Sequence, residues 1–297
     1  MSISAYPSKL TLPSVNPGFN KVLEYLIDKF PAINAELWYK RSKDGKIHWH
    51  DGSLISPETP YRAQQRVYYY REVEKEPSIP FEEKIIFQDE ELIIAYKPHF
   101  LPVTPGGRYV NECLQNRLRD KTGMSKLQAL HRLDRATAGL VMLSVNPTTR
   151  HLYHQLFETR QVQKRYQAIA RTDSLTLMPG QRWVIKNRLV KKSTPSFLMK
   201  VTEGMANSES IIRCLKKSNG LALFDLLPVT GKTHQLRLHM QTLGWPILND
   251  GYYPVLTPKS PDNYALPLQL LAKELCFTDP LTKIRRLFSC SDNLKFE

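Results

Sequence analysis

Residues 131–143 read His131-Arg132-Leu133-Asp134-Arg135-Ala136-Thr137-Ala138-Gly139-Leu140-Val141-Met142-Leu143. The last four form a continuous apolar run, which fits a strand buried on both faces. Just ahead of it one carboxylate, Asp134, stands between two arginines. Positive charge within a few ångström holds a carboxylate ionised. Guanidinium forks also grip phosphate in a geometry that lysine cannot copy. The stretch therefore predicts a reactive acid at the end of a sheet, among groups suited to a polyanion. The plainer reading of these residues, a salt-bridged surface turn, stands beside it.

Working outward, Ile85-Ile86-Phe87, a Gln88-Asp89-Glu90 turn and the segment 92–96 predict a hairpin. Asn146-Pro147 reads as an N-cap with proline at the first helical position. The helix behind it would carry Leu152 with Leu156, and Tyr153 with Phe157, as i,i+4 pairs. Residues 161–170 alternate, which puts Val162, Lys164, Tyr166 and Ala168 on one face of a strand. Residues 171–200 are basic and turn-rich and read as a mobile insertion, and 221–226 returns to the sheet. Thr233 is placed to cap a helix with Leu236, Met240 and Leu243 as its buried stripe, ended by Gly244 and Pro246. Segments 268–277 and 284–288, around a Thr278-Asp279-Pro280 turn, give a closing hairpin. The expected class is α+β, with a largely antiparallel mixed sheet and a small N-terminal α/β module.

In that N-terminal part, residues 1–14 read as an irregular lead-in. Val22, Leu23, Leu26 and Ile27 recur at helical spacing. Lys43-Asp44-Gly45-Lys46 suggests a tight hairpin turn. Ile47-His48-Trp49-His50, an Asp51-Gly52 turn and Arg66-Val67-Tyr68-Tyr69-Tyr70 follow. Prolines and polar residues near 76–80 read as a linker. The expected division is 1–75, a linker at 76–80, and a main domain from 81 to 297.

The 297 residues carry a formal net charge of +14, which points to a polyanionic partner. Between Arg150 and Lys200, eleven basic residues face two acidic ones, Glu158 and Asp173, so much of the excess lies in one segment. That pattern suits a phosphate backbone. No apolar run approaches the roughly 18 residues of a membrane helix, and the start lacks a basic cap or apolar signal core; a cytoplasmic product without membrane contact is expected. The four cysteines are scattered without a Cys-x-x-Cys pair, and no His-Glu-x-x-His pattern occurs, so neither a metal nor a disulfide framework is expected.

Three further segments accompany 131–135. They are Lys97-Pro98-His99-Phe100-Leu101-Pro102-Val103, Lys164-Arg165-Tyr166-Gln167-Ala168, and Gly231-Lys232-Thr233-His234-Gln235-Leu236-Arg237-Leu238-His239, which leads to Leu243-Gly244-Trp245-Pro246-Ile247. In this order and spacing they resemble the motif set of the RluA family of RNA pseudouridine synthases, over roughly residues 81 to 290. The resemblance implies isomerisation of specific uridines in ribosomal or transfer RNA, a redox-neutral reaction needing no cofactor. It implies Asp134 as catalytic aspartate, attacking C1′ or removing a sugar proton, with Arg237 as its partner and Tyr166 stacked on the uracil. Arg132 resembles the residue that enters the base stack as the uridine leaves. Arg135, Lys164, Arg165, Lys191 and Lys192 are expected to bind RNA, and Lys97 to touch RNA or support the cavity wall. His131 and His234 are expected to be structural.

Relatives of that kind often read Gly-Asp where this chain has Asn249-Asp250, and a histidine where it has Leu271. The N-terminal order of elements is similar to the alpha-L RNA-binding module; the alternative is an extension that only packs on the main domain. A monomer acting on structured RNA is expected. Two other classes remain: a catalytically inert RNA-binding or assembly factor, which the presence of Asp134, Tyr166 and Arg237 speaks against, and a hydrolase using His131 and Asp134, for which no nucleophile motif is found.

Overall fold

Leu10, Ile47, Trp49, Val67 and Tyr69 alternate with more exposed neighbours, and this two-residue period builds the first sheet of the protein. The structure is a computed structural model that describes residues 1–172, 175–258 and 260–296; Asp173, Ser174, Lys259 and Glu297 lie outside the described residues. The chain divides into two units: Met1–Pro77 with Pro105–Glu112, and Ser78–Thr104 with Cys113–Glu297. The division expected from the sequence puts residues 105–112 with the second.

The first unit runs β1 (Ser2–Ile3), β2 (Ser8–Thr11), α1 (Val22–Lys29), α2 (Ala35–Lys43), β3 (Ile47–Trp49), β4 (Arg66–Tyr69) and β5 (Glu72–Val73). Strands β2, β4 and β3 form an antiparallel sheet in that order. One face shares a core with the helices, built on Leu26, Trp38, Ile47 and Val67. Two expectations are corrected here. The lead-in of residues 1–14 holds β1 and β2, because its backbone groups find partners on later strands. Lys43-Asp44-Gly45-Lys46 is a helix end rather than a hairpin turn: Asp44 caps α2, and Gly45 takes φ +71, a left-handed conformation suited to glycine. Glu72 is nearly buried and meets Arg41 and Lys46 at 3.0 Å each. Glu76 Oε1 accepts the backbone N–H groups of Val110, Asn111 and Glu112 and so ties 105–112 to this unit.

The second unit runs β6 (Lys84–Gln88), β7 (Leu92–Lys97), α3 (Leu114–Thr122), β8 (Gln128–Ala129), β9 (Ala138–Ser144), α4 (Arg150–Glu158), β10 (Gln163–Arg171), β11 (Arg182–Lys191), β12 (Met199–Thr202), β13 (Ser208–Ser218), β14 (Leu221–Pro228), α5 (Gln235–Thr242), β15 (Leu270–Thr278) and β16 (Arg285–Ser289). One mixed sheet has the order β12-β11-β13-β14-β10-β15-β9-β7-β6, with β16 on β15 and β8 on β9. Among the described residues its pairings are antiparallel except β9 with β15. At that join Gly139 takes φ +121, and a Cβ there would lie 2.3 Å from the Ala272 carbonyl oxygen. Only glycine allows the two strands to meet so closely. The fold is the expected α+β class with a large, mostly antiparallel sheet.

Three local expectations are corrected. Residues 182–191 are not an insertion but ten residues of strand, paired with β12 and β13. Asn146 does not cap α4: its side chain accepts from Thr148 N–H at 2.9 Å in a preceding turn, and Thr149 is the N-cap. At α5 the N-cap is His234, with φ +55, rather than Thr233. The Gln235 side chain, which accepts from Lys232 N–H and Thr230 Oγ1, organises the approach to that helix. Strand β13 has no counterpart among the elements expected from the sequence.

Candidate active site

The alternation of β10 carries Lys164 and Tyr166 onto one face, and with Val162 just ahead of the strand they line a cavity of about 510 Å³ in the second unit. That volume falls in the range of small-molecule sites, about 300–1,000 Å³. The loop 131–134, the end of α4 and the segment 228–237 supply the remaining walls.

Asp134 is held there by its neighbours. Thr137 N–H donates to the Asp134 carbonyl at 3.0 Å. Lys97 Nζ donates to the carbonyls of Pro98, Leu101 and Arg135 at 2.8, 2.7 and 3.2 Å. The His99 ring donates from Nδ1 to the Ala136 carbonyl at 2.7 Å. His131 accepts the Met142 N–H on Nε2 at 3.0 Å and stacks on Phe157. Burial, with some help from the Lys164 charge, pushes the His131 ring down to about 3, so it is a neutral structural group.

Lys97 is fully buried, and its amine is spent on the three carbonyls around the Asp134 loop rather than exposed at the surface. Burial pushes the amine well below the usual lysine range, with Asp134 opposing the shift. Three carbonyl acceptors call for the three protons of the ammonium form and offset that cost.

Arg237 projects from α5 and reaches Asp134 with Nη1 at 3.3 Å. Its main partner is Asp250, through Nε at 2.8 Å and Nη2 at 2.5 Å. Nothing in the local sequence around Asp250 assigns it that role. Its side chain is fully buried, and it also accepts the N–H groups of Tyr252 and Tyr253. Those two rings lie 4.6 and 5.4 Å from the guanidinium carbon. Burial opposes the charge of Arg237, but the hydrogen bonds it donates to Asp250 and the charge of that residue, then those of Asp134, outweigh it and hold the group above the usual arginine range. The preceding Asn249 takes φ +63, which asparagine tolerates better than most residues. Leu271 sits in the core of β15.

His234 Nε2 lies 3.7 Å from Asp134, and Nδ1 hydrogen-bonds the Tyr253 hydroxyl at 2.9 Å. Burial lowers its pKa against the pull of Asp134. Burial and the Asp134 charge raise Tyr166 above the usual tyrosine range; it is a neutral phenol.

Arg132 is exposed at the cavity rim, together with Arg160 and Lys232, two cations that the sequence pattern does not single out. A short-range signal exists for Lys232, which lies just ahead of His234 and Arg237. Four other expected RNA contacts are not brought to the cavity. Arg135 forms a bidentate pair with Asp262 at 2.8 and 2.7 Å. Arg165 meets Asp225 at 2.6 Å and Glu274 at 3.0 Å. Lys191 ends β11 and is exposed, and Lys192, just past the strand, is half-buried.

The family model for RNA pseudouridylate synthase matches residues 91–242, a segment that contains Asp134, Tyr166 and Arg237. The chain belongs to this family. As a pseudouridine synthase it is 26% identical over 78% of its length to an uncharacterized RNA pseudouridine synthase of Synechocystis, covering 79% of that protein. It is 28% identical over 84% of its length to ribosomal large subunit pseudouridine synthase C of Haemophilus influenzae, covering 80% of it. It is 25% identical over 78% of its length to the mitochondrial tRNA pseudouridine(32) synthase of Saccharomyces cerevisiae, of which it spans 50%. The fold of this pseudouridine synthase is similar to that of human RNA pseudouridylate synthase domain containing 1, with TM-score 0.59, 21% identity and coverage of 73% of this chain and 86% of that one. Human RNA pseudouridylate synthase domain containing 4 gives TM-score 0.53, 25% identity, and coverage of 70% and 87%. No helix among the described residues is long and apolar enough to cross a membrane.

Proposed function

We propose that this enzyme isomerises specific uridines of ribosomal or transfer RNA, with Asp134 as the catalytic aspartate. One observation carries the reading: the Asp134 carboxylate lies on a cavity wall, 3.3 Å from Arg237, in the same cavity as Tyr166. The target nucleotide leaves its stack and enters the cavity. The C1′–N1 bond breaks, the uracil turns over, and C5 bonds to C1′; C5 loses a proton and N1 gains one. Asp134 acts at the sugar, either on C1′ or on a sugar proton. Arg237, locked to Asp250, aims the carboxylate. The Tyr166 ring stacks on the freed base, and its phenol hydrogen-bonds or relays a proton rather than serving as a standing phenolate. Arg132 takes the place of the uridine in the stack, while Arg160, Lys164 and Lys232 neutralise phosphates at the mouth. Lys191, exposed on β11, makes a peripheral contact. Relatives named for ribosomal and transfer RNA support the substrate class. A cytoplasmic monomer whose first unit also binds RNA completes the proposal.

Asp134→Asn tests it. Pseudouridine formation is expected to fall by at least about a thousandfold, with RNA affinity changed by less than about threefold. Full activity in that variant would overturn the assignment. Mapping pseudouridines in total RNA from cells with and without the gene identifies the uridine.

A further inference from the structure

Four rings stand on the outward face of the β2-β4-β3 sheet. Tyr68 lies opposite Lys9 on one side and His48 on the other. Its ring stacks on His48, with centroids 5.3 Å apart and planes 10° from parallel. His50 stacks on the same tyrosine at 5.8 Å and hydrogen-bonds its hydroxyl at 3.1 Å. Tyr70 approaches His48 at 6.2 Å. The opposite face of these strands, with Ile47, Trp49, Val67 and Tyr69, belongs to the core of the unit. The four rings do not: His50 is exposed, and His48, Tyr68 and Tyr70 are half-buried.

Two cations flank the row, exposed Lys9 and exposed Arg66, the latter opposite Thr11. Residues Ser8–Thr11, Ile47–Trp49 and Arg66–Tyr69 contain no carboxylate. A row of rings that ends in exposed His50 and is bordered by positive charge suits bases that are splayed out, with their phosphates alongside. A paired duplex hides its base faces and cannot use them.

We propose that this sheet face is a stacking platform for a single-stranded segment of the RNA substrate, with His48, His50 and Tyr68 taking bases and Lys9 and Arg66 taking phosphates. The proposal rests on the reading of the protein as RNA-acting and assigns a place and a strandedness to part of that contact.

Fluorescence anisotropy of the full chain, with a labelled single-stranded oligouridine and an RNA duplex of equal length, tests it. His50→Ala and Tyr68→Ala should each weaken single-strand binding by about tenfold, while Tyr68→Phe retains it. Lys9→Gln with Arg66→Gln should reduce the salt slope by about 1.4, two phosphates at about 0.7 each. His50 lies outside the core, so His50→Ala keeps the test valid should Tyr68→Ala fail to fold. Unchanged single-strand affinity in His50→Ala and the cation variant, or equal competition by the duplex, would overturn the platform. Pseudouridine formation by the parent protein separates the two readings. If it forms and the variants bind as before, the platform alone fails; if none forms while the rings still govern single-strand affinity, the catalytic reading fails and the platform stands.

Discussion

Lys164 and Arg165 are sequence neighbours of equal charge on β10, yet the strand gives them opposite surroundings. Lys164 faces the cavity, and among the described residues no carboxylate lies within ion-pair distance of it. Burial lowers its pKa. Arg165 faces the other way, where the hydrogen bond it donates to Asp225 leads the effects that raise its pKa, with Glu274 adding to them. Successive side chains of a strand point to opposite faces, so one residue of register separates a cation paired within the fold from one that faces the cavity. A half-buried, unpaired amine is an electrostatic cost to the folded state, which a bound anion would relieve.

Arg237 is the sharpest challenge to that contrast, since it lines the cavity like Lys164 but is paired like Arg165. Arg237→Leu would leave Asp250 buried without its counterion, and we expect a loss of about 3–5 kcal/mol in urea unfolding. An unchanged midpoint would show that the pair does not hold the site together. Next in size, Lys164→Met should weaken RNA binding by about five- to tenfold with no loss of stability. Its pH behaviour has a definite sign. The folded pKa lies below that of the unfolded chain, so between the two values the unfolded chain binds more protons and stability rises with pH. RNA affinity falls as pH rises through the folded value. Lys164→Met should flatten both trends; unfolding and binding measured across pH 7 to 10.5 would break the contrast if parent and variant coincide. Smallest is Asp225→Asn. Arg165 keeps Glu274 and is about a third exposed (35%), so solvent screening limits the cost to about 1 kcal/mol. Activity should be unaffected, and a marked drop in pseudouridine formation would mean that the back face is not merely structural.

Much of the fold is legible in local periodicity. The hairpin β6–β7, the alternation of β10, the closing hairpin β15–β16 and the buried run of β9 all follow from it. The grouping of Asp134, Tyr166 and Arg237 is implied by the family resemblance that the order and spacing of their segments carry, and the structure brings all three to one cavity. Segment 182–191 defeats the same reasoning because charged residues on its exposed face hide a strand whose inner residues, Trp183, Ile185 and Leu189, pack inward.

The sequence by itself determined which segments alternate and which run is buried, while the resemblance of its ordered motifs to the family implied that Asp134, Tyr166 and Arg237 belong together. Only the tertiary structure decided that Asp250 rather than Asp134 is the main partner of Arg237. It alone showed that Lys97, Arg135 and Arg165 have partners within the fold, and that Gly139 joins β9 to β15. The reason is physical. Periodicity is a property of neighbouring residues, whereas an ion pair or a close strand approach depends on distances between segments far apart in the chain, which are fixed only when the core has packed.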